Sequence, residues 1–364
     1  MQVNIYLHRK PLARTFDRRA EGQLTVGFLG GSITAPAMYN WPEPVISWFS
    51  DTFPQARITV ENAAIGSTGS EMAVFRAKQD ILDRNCDLVF VEYAVNDIHE
   101  FSEERMRTRE GLLRTLLGGG NADLVIVYTY TQDMYEEMMR CSMPSSIAEF
   151  EELAEQYGIG SIWMGMHALE EVKKGKLSWE EWLPDGLHPS ARGSLCYAQS
   201  VIEFLQSEWR NKKSMNAACS NSRLPAPCCR ENWDTVSILD VSQIDLTGPW
   251  TLRRRRHLAS LDQALLCSAP GAGISFIFEG RGLTLASMFG QYAAEFRWRL
   301  DDGEWRESNR DRSGWCPDQG YPRMDLIADD LVNGRHRFEL EIFHGNKPNC
   351  RGTNFELLFV GIIH

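Results

Sequence analysis

The feature that most constrains the fold is an alternation of short apolar runs with helix-like segments over the first 210 residues of this 364-residue chain. Such an alternation is typical of βαβ units around a parallel sheet. Right-handed crossovers then place helices on both faces, and the carboxyl ends of the strands carry the site. The predicted strands are 24–29, 57–62, 87–93, 123–130 and 159–163, and the predicted helices lie near 37–51, 70–84, 103–118, 145–157 and 191–209.

After Trp233 the spacing of apolar residues changes, and they recur at every second position. Residues 294–300 and 336–343 alternate apolar and polar side chains, and the dipeptides Asp302-Gly303 and Asn333-Gly334 supply turns. Strands with one apolar face and no helices between them predict an antiparallel, jelly-roll-like β-sandwich. We therefore divide the chain into an α/β domain (1–210), a polar linker (211–232) and an all-β domain (233–364).

Composition excludes several classes of function. A net charge of −11 argues against nucleic acid as a partner, because phosphate neutralisation needs a basic face. The nine cysteines show no Cys-x-x-Cys pair, so neither a metal site nor a disulfide framework is expected. No apolar run approaches the ~18 residues of a membrane span, and the first ten residues lack the apolar core of a signal peptide. These features predict a cytoplasmic protein without a membrane partner.

Three strand ends carry candidate chemistry. Ser32 follows the first predicted strand in Gly30-Gly31-Ser32, where a strand-to-helix corner would present its side chain and its backbone N–H. Gly66 follows the second strand and can bring a bare N–H close to a substrate. Asn96 follows the third strand and offers a carboxamide donor. Taken singly, each is also explained by an ordinary turn or a loop hydrogen bond.

A fourth stretch pairs a carboxylate with an imidazole. Asp185 and His188 lie three residues apart, just before the last predicted helix of the α/β domain. The carboxylate can fix the tautomer of the imidazole, while the other ring nitrogen accepts a serine proton. Taken alone, a capping aspartate beside a surface histidine is the simpler interpretation.

Together and in this order, the four stretches resemble the four sequence blocks of the SGNH, or GDSL, hydrolases, over about residues 24–208. Ser32 matches the first block, Gly66 the second, Asn96 the third, and Asp185 with His188 the last. The sequence departs from the family pattern at three positions. Gly and Ile stand at 31 and 33 where the family name has Asp and Leu, and Ala stands at 94 where a Gly often precedes the Asn.

The resemblance implies a three-layer, flavodoxin-like α/β/α domain that hydrolyses acyl esters without a metal or cofactor. It also implies the role of each matched residue. Ser32 would be the nucleophile, and His188 the base and then the acid, oriented by Asp185. The oxyanion would be held by the Ser32 N–H, the Gly66 N–H and the Asn96 side chain.

A hydrolase of this type joined to a β-sandwich resembles bacterial carbohydrate acetyl esterases, whose appended sandwiches resemble carbohydrate-binding modules. We therefore expect acetylated oligosaccharides or polysaccharide fragments as the substrate, and a homo-oligomer is compatible with the sequence. The aromatic residues predicted to contact the substrate are Trp41, Tyr130 and Trp182, which would wall a short acyl pocket, and Trp315 and Tyr321 on a long loop of the second domain. Packing is the alternative role of these rings and the commoner one for aromatic residues.

Two other functions stay open at this stage. A lipid or thioester hydrolase of the same fold would need a broad apolar groove, and the sequence shows no extended apolar loop. A non-enzymatic carbohydrate-binding protein would have a decayed site, whereas all five matched residue types are present.

Overall fold

The computed structural model describes residues 4–120, 122–140, 142–211, 224–254, 262–318 and 320–364. The chain divides into two compact units, Met1–Asp234 and Thr235–His364. Most of the predicted linker, 212–223, lies outside the described residues. Trp233 lies in the first of these units, and its backbone N–H donates to the carbonyl oxygen of Arg107.

The first unit is built on a mainly parallel sheet. Its described strands are β1 (Tyr6–Leu7), β2 (Gln23–Gly30), β3 (Arg57–Asn62), β4 (Leu88–Glu92), β5 (Asp123–Val127) and β6 (Gly160–Ile162). Their order across the sheet is β1-β6-β5-β4-β2-β3. All neighbours are parallel except β1, which pairs antiparallel with β6. The prediction of a parallel α/β domain is confirmed, and β1 adds an edge strand that the predicted strands did not include.

Helices connect these strands. They are α1 (Ala13–Ala20), α2 (Pro42–Thr52), α3 (Ser70–Ala77), α4 (Ser102–Gly119), α5 (Tyr135–Met139), α6 (Ser145–Tyr157), α7 (Met164–Lys173), α8 (Trp179–Trp182) and α9 (Ala191–Asn211). A π-helical turn, Lys78–Leu82, continues α3, and a 3-10 turn, Gln132–Met134, precedes α5. The helix predicted over 37–51 begins later, at Pro42, because proline fits the first helical position.

The second unit contains two antiparallel sheets. Its described strands are β7 (Val236–Ile238), β8 (Asp245–Thr247), β9 (Thr251–Arg254), β10 (Gln263–Cys267), β11 (Gly273–Gly280), β12 (Gly282–Phe289), β13 (Glu295–Leu300), β14 (Arg306–Glu307), β15 (Tyr321–Ala328), β16 (Gly334–Phe343) and β17 (Phe355–Ile363). One sheet has the order β15-β12-β17-β10-β9, with β7 also pairing β17, and the other has the order β14-β13-β16-β11-β8.

Alternating residues of these strands form the core of the second unit. On β16 the buried side chains are Phe338, Leu340 and Ile342, and they pack in one apolar cluster with residues of both sheets. On the polar face, Arg299 and Glu339 stand opposite each other in register and form an ion pair. The prediction of an antiparallel all-β domain is therefore confirmed. Among the described helices of the chain, none combines the length and apolar character that crossing a membrane requires.

Candidate active site

Ser32 lies in a tight turn at the carboxyl end of β2. The backbone N–H groups of Thr34 and Ala35 both donate to the carbonyl oxygen of Gly31, at 3.1 and 2.9 Å. The sequence placed Ser32 at the start of a helix, but the next helix begins ten residues later at Pro42. The orientation of Ser32 is therefore set by this turn and by the side chains that hold it.

A chain of hydrogen bonds links Ser32 to His188 and Asp185. Oγ of Ser32 is 2.8 Å from Nε2 of His188, and Nδ1 of His188 is 2.8 Å from Oδ2 of Asp185. The other carboxylate oxygen accepts the backbone N–H groups of Leu187 and His188, at 2.9 and 2.7 Å. Partial burial acts to raise the pKa of Asp185, but the hydrogen bonds from His188 and these N–H groups outweigh it and hold the pKa below its ordinary value. The carboxylate thus stays charged beside the imidazole.

The loop that carries Asp185 and His188 is fixed at both ends. The Ser190 N–H donates to the carbonyl oxygen of Trp182 at 2.9 Å, which closes the loop. The Ser190 hydroxyl then accepts the N–H groups of Arg192 and Gly193 at the start of α9. This is an N-cap, in which a serine side chain satisfies otherwise unpaired helix N–H groups. The imidazole is consequently presented from a short, closed loop.

Gly66 and Asn96 lie on either side of the Ser32 turn, because β3 and β4 are the two neighbours of β2. A Cβ atom placed on Gly66 would lie 3.5 Å from Cβ of Ser32. A Cβ atom placed on Gly31 would lie 2.1 Å from Oδ1 of Asn96, which no real structure allows. The carboxamide of Asn96 therefore occupies the space that a side chain at position 31 would fill.

The loop that carries Asn96 is held by a buried ion pair. The carboxylate of Asp97 accepts Nε of Arg109 at 2.7 Å, together with the backbone N–H and hydroxyl of Ser70. Arg109 has no exposed surface and also donates to the carbonyl and hydroxyl oxygens of Ser146. Asp97 and Arg109 were not identified from the sequence, although a charged residue directly after Asn96 is a visible signal.

Three aromatic residues predicted to line the acyl pocket are core residues instead. Trp41 has no exposed surface and packs edge-on against Phe28 and Phe90. Tyr130 and Trp182 are at most 1% exposed, and their ring centroids lie 4.8 Å apart. This corrects the sequence prediction. Large aromatic residues near strand ends also serve as packing residues, and the burial of these three assigns them to the core.

The other two aromatic residues lie in the second unit. Trp315 is 63% exposed, and its ring centroid is 5.0 Å from that of Tyr321, the first residue of β15. The preceding segment is anchored by Arg312, whose buried guanidinium is 2.8 Å from the carboxylate of Glu295. The structure thus presents Trp315 on an anchored loop of its own unit.

Nucleophilic acyl transfer is the chemistry that this arrangement supports. It combines Ser32, Gly66, Asn96 and His188 at strand ends and loops, with Asp185 hydrogen-bonded to His188. A hydroxyl, an imidazole and a carboxylate are hydrogen-bonded in sequence, and Gly66 and Asn96 adjoin the turn that holds the hydroxyl. Within the described residues, no group of three or more His, Cys, Asp or Glu side chains is arranged to hold a metal ion.

Comparison with known proteins gives the fold of both units. The chain superposes on the crystal structure of a two-domain esterase (CEX) active on acetylated mannans with a TM-score of 0.83, at 23% identity over 98% of this chain and 97% of that one. The structure of such an esterase co-crystallised with mannopentaose gives a TM-score of 0.81, at 23% identity over 98% of this chain and 96% of that one. The chain therefore has the fold of a two-domain esterase.

A further match covers half of the chain. Axe2, an acetylxylan esterase from Geobacillus stearothermophilus, aligns at 18% identity over 50% of this chain and 94% of its own, with a TM-score of 0.40. No protein-family model matches the sequence. No curated protein matches it either.

Proposed function

We propose that this chain is a serine esterase that removes acetyl groups from acetylated oligosaccharides or polysaccharide fragments. The observation that carries the proposal is the hydrogen-bonded series from Ser32 through His188 to Asp185 at the carboxyl edge of the sheet. A hydroxyl paired with a neutral imidazole, which is paired in turn with a carboxylate, is the arrangement that nucleophilic acyl transfer requires.

The proposed reaction has two halves. Oγ of Ser32 bonds to the ester carbonyl carbon while its proton passes to Nε2 of His188, and the carbonyl oxygen becomes an oxyanion near Gly66 and Asn96. The intermediate then expels the sugar alcohol, which takes the proton from His188 and leaves an acetyl-serine. Water attacks this acetyl group by the same route and releases acetate and the free Ser32 hydroxyl. Asp185 stabilises the imidazolium in both halves.

Two observations support an acetylated carbohydrate as the substrate. The two-domain esterase described above is active on acetylated mannans and shares the fold of both units at 23% identity. The exposed ring of Trp315, packed against the half-buried Tyr321, adds an aromatic surface, and aromatic rings offer sugars a flat apolar face. We propose that this pair contacts the carbohydrate part of the substrate.

The test of the reaction is the Ser32→Ala variant. It should lose activity on 4-nitrophenyl acetate by about 10³-fold or more, because the nucleophile is gone. Its thermal unfolding should match the wild type, since the turn tolerates a smaller side chain. The matched control is Ser50→Ala on the exposed face of α2, which should keep full activity. Activity of Ser32→Ala within tenfold of wild type would refute the nucleophile.

One observation favours a second candidate, a lipid or thioester acyl hydrolase. Met38 is 96% exposed and follows Ser32 along the chain, and Phe101 is 83% exposed and follows Asn96. Exposed apolar side chains beside a catalytic turn suit an acyl chain. The two candidates separate in kcat/KM for acetyl and octanoyl 4-nitrophenyl esters, and we expect acetyl to be preferred by about tenfold or more. Equal efficiency, with a loss on octanoyl alone in Met38→Ser, would favour the second candidate.

A further inference from the structure

A buried carboxyl group lies beneath the Ser32 turn and has no role in the reaction described above. Glu92 is the last residue of β4, and its side chain has no exposed surface. Oε1 accepts the hydroxyl of Thr129 at 2.7 Å, and Oε2 accepts the hydroxyl of Thr34 at 3.0 Å. The backbone N–H of Gly31 also hydrogen-bonds to this carboxyl group. Two of its three partners are thus members of the turn that holds Ser32.

The strand register makes this contact possible. Gly30 of β2 stands opposite Glu92 in the parallel pairing of β2 with β4. A Cβ atom placed on Gly30 would lie 3.0 Å from Oε2 of Glu92 and 2.8 Å from Cβ of Thr34. The bare glycine therefore leaves the space in which the Thr34 hydroxyl meets the carboxyl group.

The rest of the turn is tied to the same point. Nε1 of Trp41 donates to the Thr34 hydroxyl at 3.0 Å, and Nδ2 of Asn62 donates to the Thr34 carbonyl oxygen at 2.9 Å. Because the hydroxyl oxygen of Thr34 accepts from Trp41, its own proton is directed to Oε2 of Glu92. The segment from Gly31 to Thr34 is consequently held by a network of four side chains, all buried or half-buried: Thr34, Trp41, Asn62 and Glu92.

We propose that Glu92 is a positioning residue, whose carboxyl group fixes the turn from Gly31 to Thr34 and thereby aligns the Ser32 hydroxyl with His188 and the Ser32 N–H with the developing oxyanion. The inference rests on the proposed esterase function. Glu92 touches no substrate and acts only through the backbone of the turn. Its effect should therefore fall on kcat rather than on KM, because misalignment of the reacting groups weakens the transition state and not substrate binding.

The hydrogen-bond pattern identifies what the turn requires of Glu92. Oε2 accepts the hydroxyl of Thr34, the Gly31 N–H also donates to the carboxyl group, and Oε1 accepts the hydroxyl of Thr129, a group that can either donate or accept. One acceptor oxygen directed at the turn is sufficient. Burial raises the pKa of Glu92 to about 7, since its hydrogen bonds only partly offset the loss of water. A neutral amide in the same place should therefore serve almost as well as the carboxylate.

The experiment compares Glu92→Gln with Glu92→Leu, using the full chain and 4-nitrophenyl acetate. Glu92→Leu should lose about 10²-fold in kcat with little change in KM, because small displacements of reacting groups have effects of that size. Glu92→Gln should retain kcat within about threefold, since it keeps the acceptor toward Thr34 and Gly31. If Glu92→Leu does not fold, Thr34→Val keeps the shape of the turn but removes its link to Glu92, and it should lose at least about tenfold in kcat.

Glu110 provides the matched control. Its side chain is equally buried and accepts three hydrogen bonds, from the Tyr157 hydroxyl and the N–H groups of Cys228 and Cys229. None of these partners belongs to the Ser32 turn. Glu110→Leu should lower the melting temperature but leave kcat unchanged at temperatures where the protein is folded.

The outcomes separate the two proposals. Activity in the wild type and its loss in Ser32→Ala establish the esterase, and an inactive wild type would refute it irrespective of Glu92. Given an active wild type, the inference about Glu92 is overturned by wild-type kcat in Glu92→Leu, or by an equal loss of kcat in Glu110→Leu. It is also overturned if Glu92→Gln is as defective as Glu92→Leu, because the charge and not the fixed turn would then matter.

Discussion

At the scale of single residues, the site depends on two glycines, whose lack of a side chain leaves room for neighbouring groups. Gly30 leaves room for the contact between Thr34 and Glu92, and Gly31 leaves room for the carboxamide of Asn96. Each glycine is required because of a close approach, not because of a positive φ angle. At Gly30 the nearest atoms belong to Thr34 of the same turn and then to Glu92 of β4, whereas at Gly31 they belong to Asn96 in the loop after β4.

The first prediction concerns Gly31→Ala. The new methyl group must displace Asn96, so kcat should fall by about 10²–10³, as for the loss of one oxyanion donor. In a background of Asn96→Ala, which vacates the space, Gly31→Ala should cause no further loss. Gly118→Ala is the control, because its Cβ would make only an ordinary 3.5 Å contact with Leu224. Additive losses in the double variant would show that Gly31 acts by another route.

The second prediction concerns Asp185 and pH. Activity should be lost on the acid side of the pH profile, because only a neutral imidazole at His188 can accept the proton of Ser32. The lowered pKa of Asp185 means that its stabilising contacts exist above the ordinary aspartate range and are lost only when the pH falls below that range. Asp185 therefore stays ionised from pH 9 down to pH 5 and does not cause this loss.

The Asp185→Asn variant tests that assignment. The amide cannot stabilise the imidazolium, so kcat at pH 8 should fall by about 10²–10⁴. The measurement is kcat and kcat/KM from pH 5 to 9 in the wild type and in the variant. Wild-type kcat in Asp185→Asn at pH 8 would exclude Asp185 as the carboxylate that supports the base.

At the scale of elements, the loops that carry the site are held by buried polar networks. The loop after β4 depends on the pair of Asp97 and Arg109, and the turn after β2 depends on Glu92. Loops at the carboxyl ends of strands cannot form a hydrophobic core of their own. Ion pairs and hydrogen bonds to neighbouring elements therefore determine their conformations.

The third prediction concerns Arg109→Met. Methionine approximates the length of the side chain but leaves Asp97 as a buried charge without its partner. The first unit should lose about 3–5 kcal/mol in its free energy of unfolding, measured by urea titration. Arg140→Met is the control: Arg140 pairs with Glu136 on the surface, both side chains are at least 75% exposed, and the change should be below about 0.5 kcal/mol. Equal effects of the two variants would mean that the buried pair is not what holds the loop.

At the scale of the whole molecule, the chain combines a unit that carries the proposed nucleophile Ser32 with a unit that presents the exposed ring of Trp315. The two units have separate cores and different architectures. A small ester that occupies only the acyl site should report on the first unit alone. A substrate with several sugar rings should also report on the second.

The fourth prediction concerns Trp315→Ala. It should raise KM for acetylated mannan or xylan oligosaccharides by about tenfold, the magnitude expected for one stacked aromatic contact, and leave 4-nitrophenyl acetate unaffected. Trp305→Ala, at another exposed position of the same unit, is the control and should change neither substrate. Equal loss on both substrates would indicate damage to folding, and no loss on either would remove Trp315 from the substrate contacts.

The fold class was predictable from the sequence because the hydrophobic period is a local property. The change from strand–helix alternation to strict period two after residue 233 identified both architectures, and the predicted 57–62 strand has the bounds of β3. The start of α2 was misplaced, because the turn from Ser32 to Asn40 is held by side chains distant in sequence. One example is the contact from Asn62 to Thr34.

For the candidate site, the sequence by itself determined which residue types follow each strand and that parallel strands gather them at one edge. It did not determine that Glu92 lies under the Ser32 turn, that Asn96 takes the place of a side chain at position 31, or that Trp41, Tyr130 and Trp182 are buried. Periodicity reports which face a side chain takes, whereas these features depend on contacts between elements far apart in the chain. Only the tertiary structure fixes those distances, because packing and hydrogen bonding between neighbouring strand ends decide them.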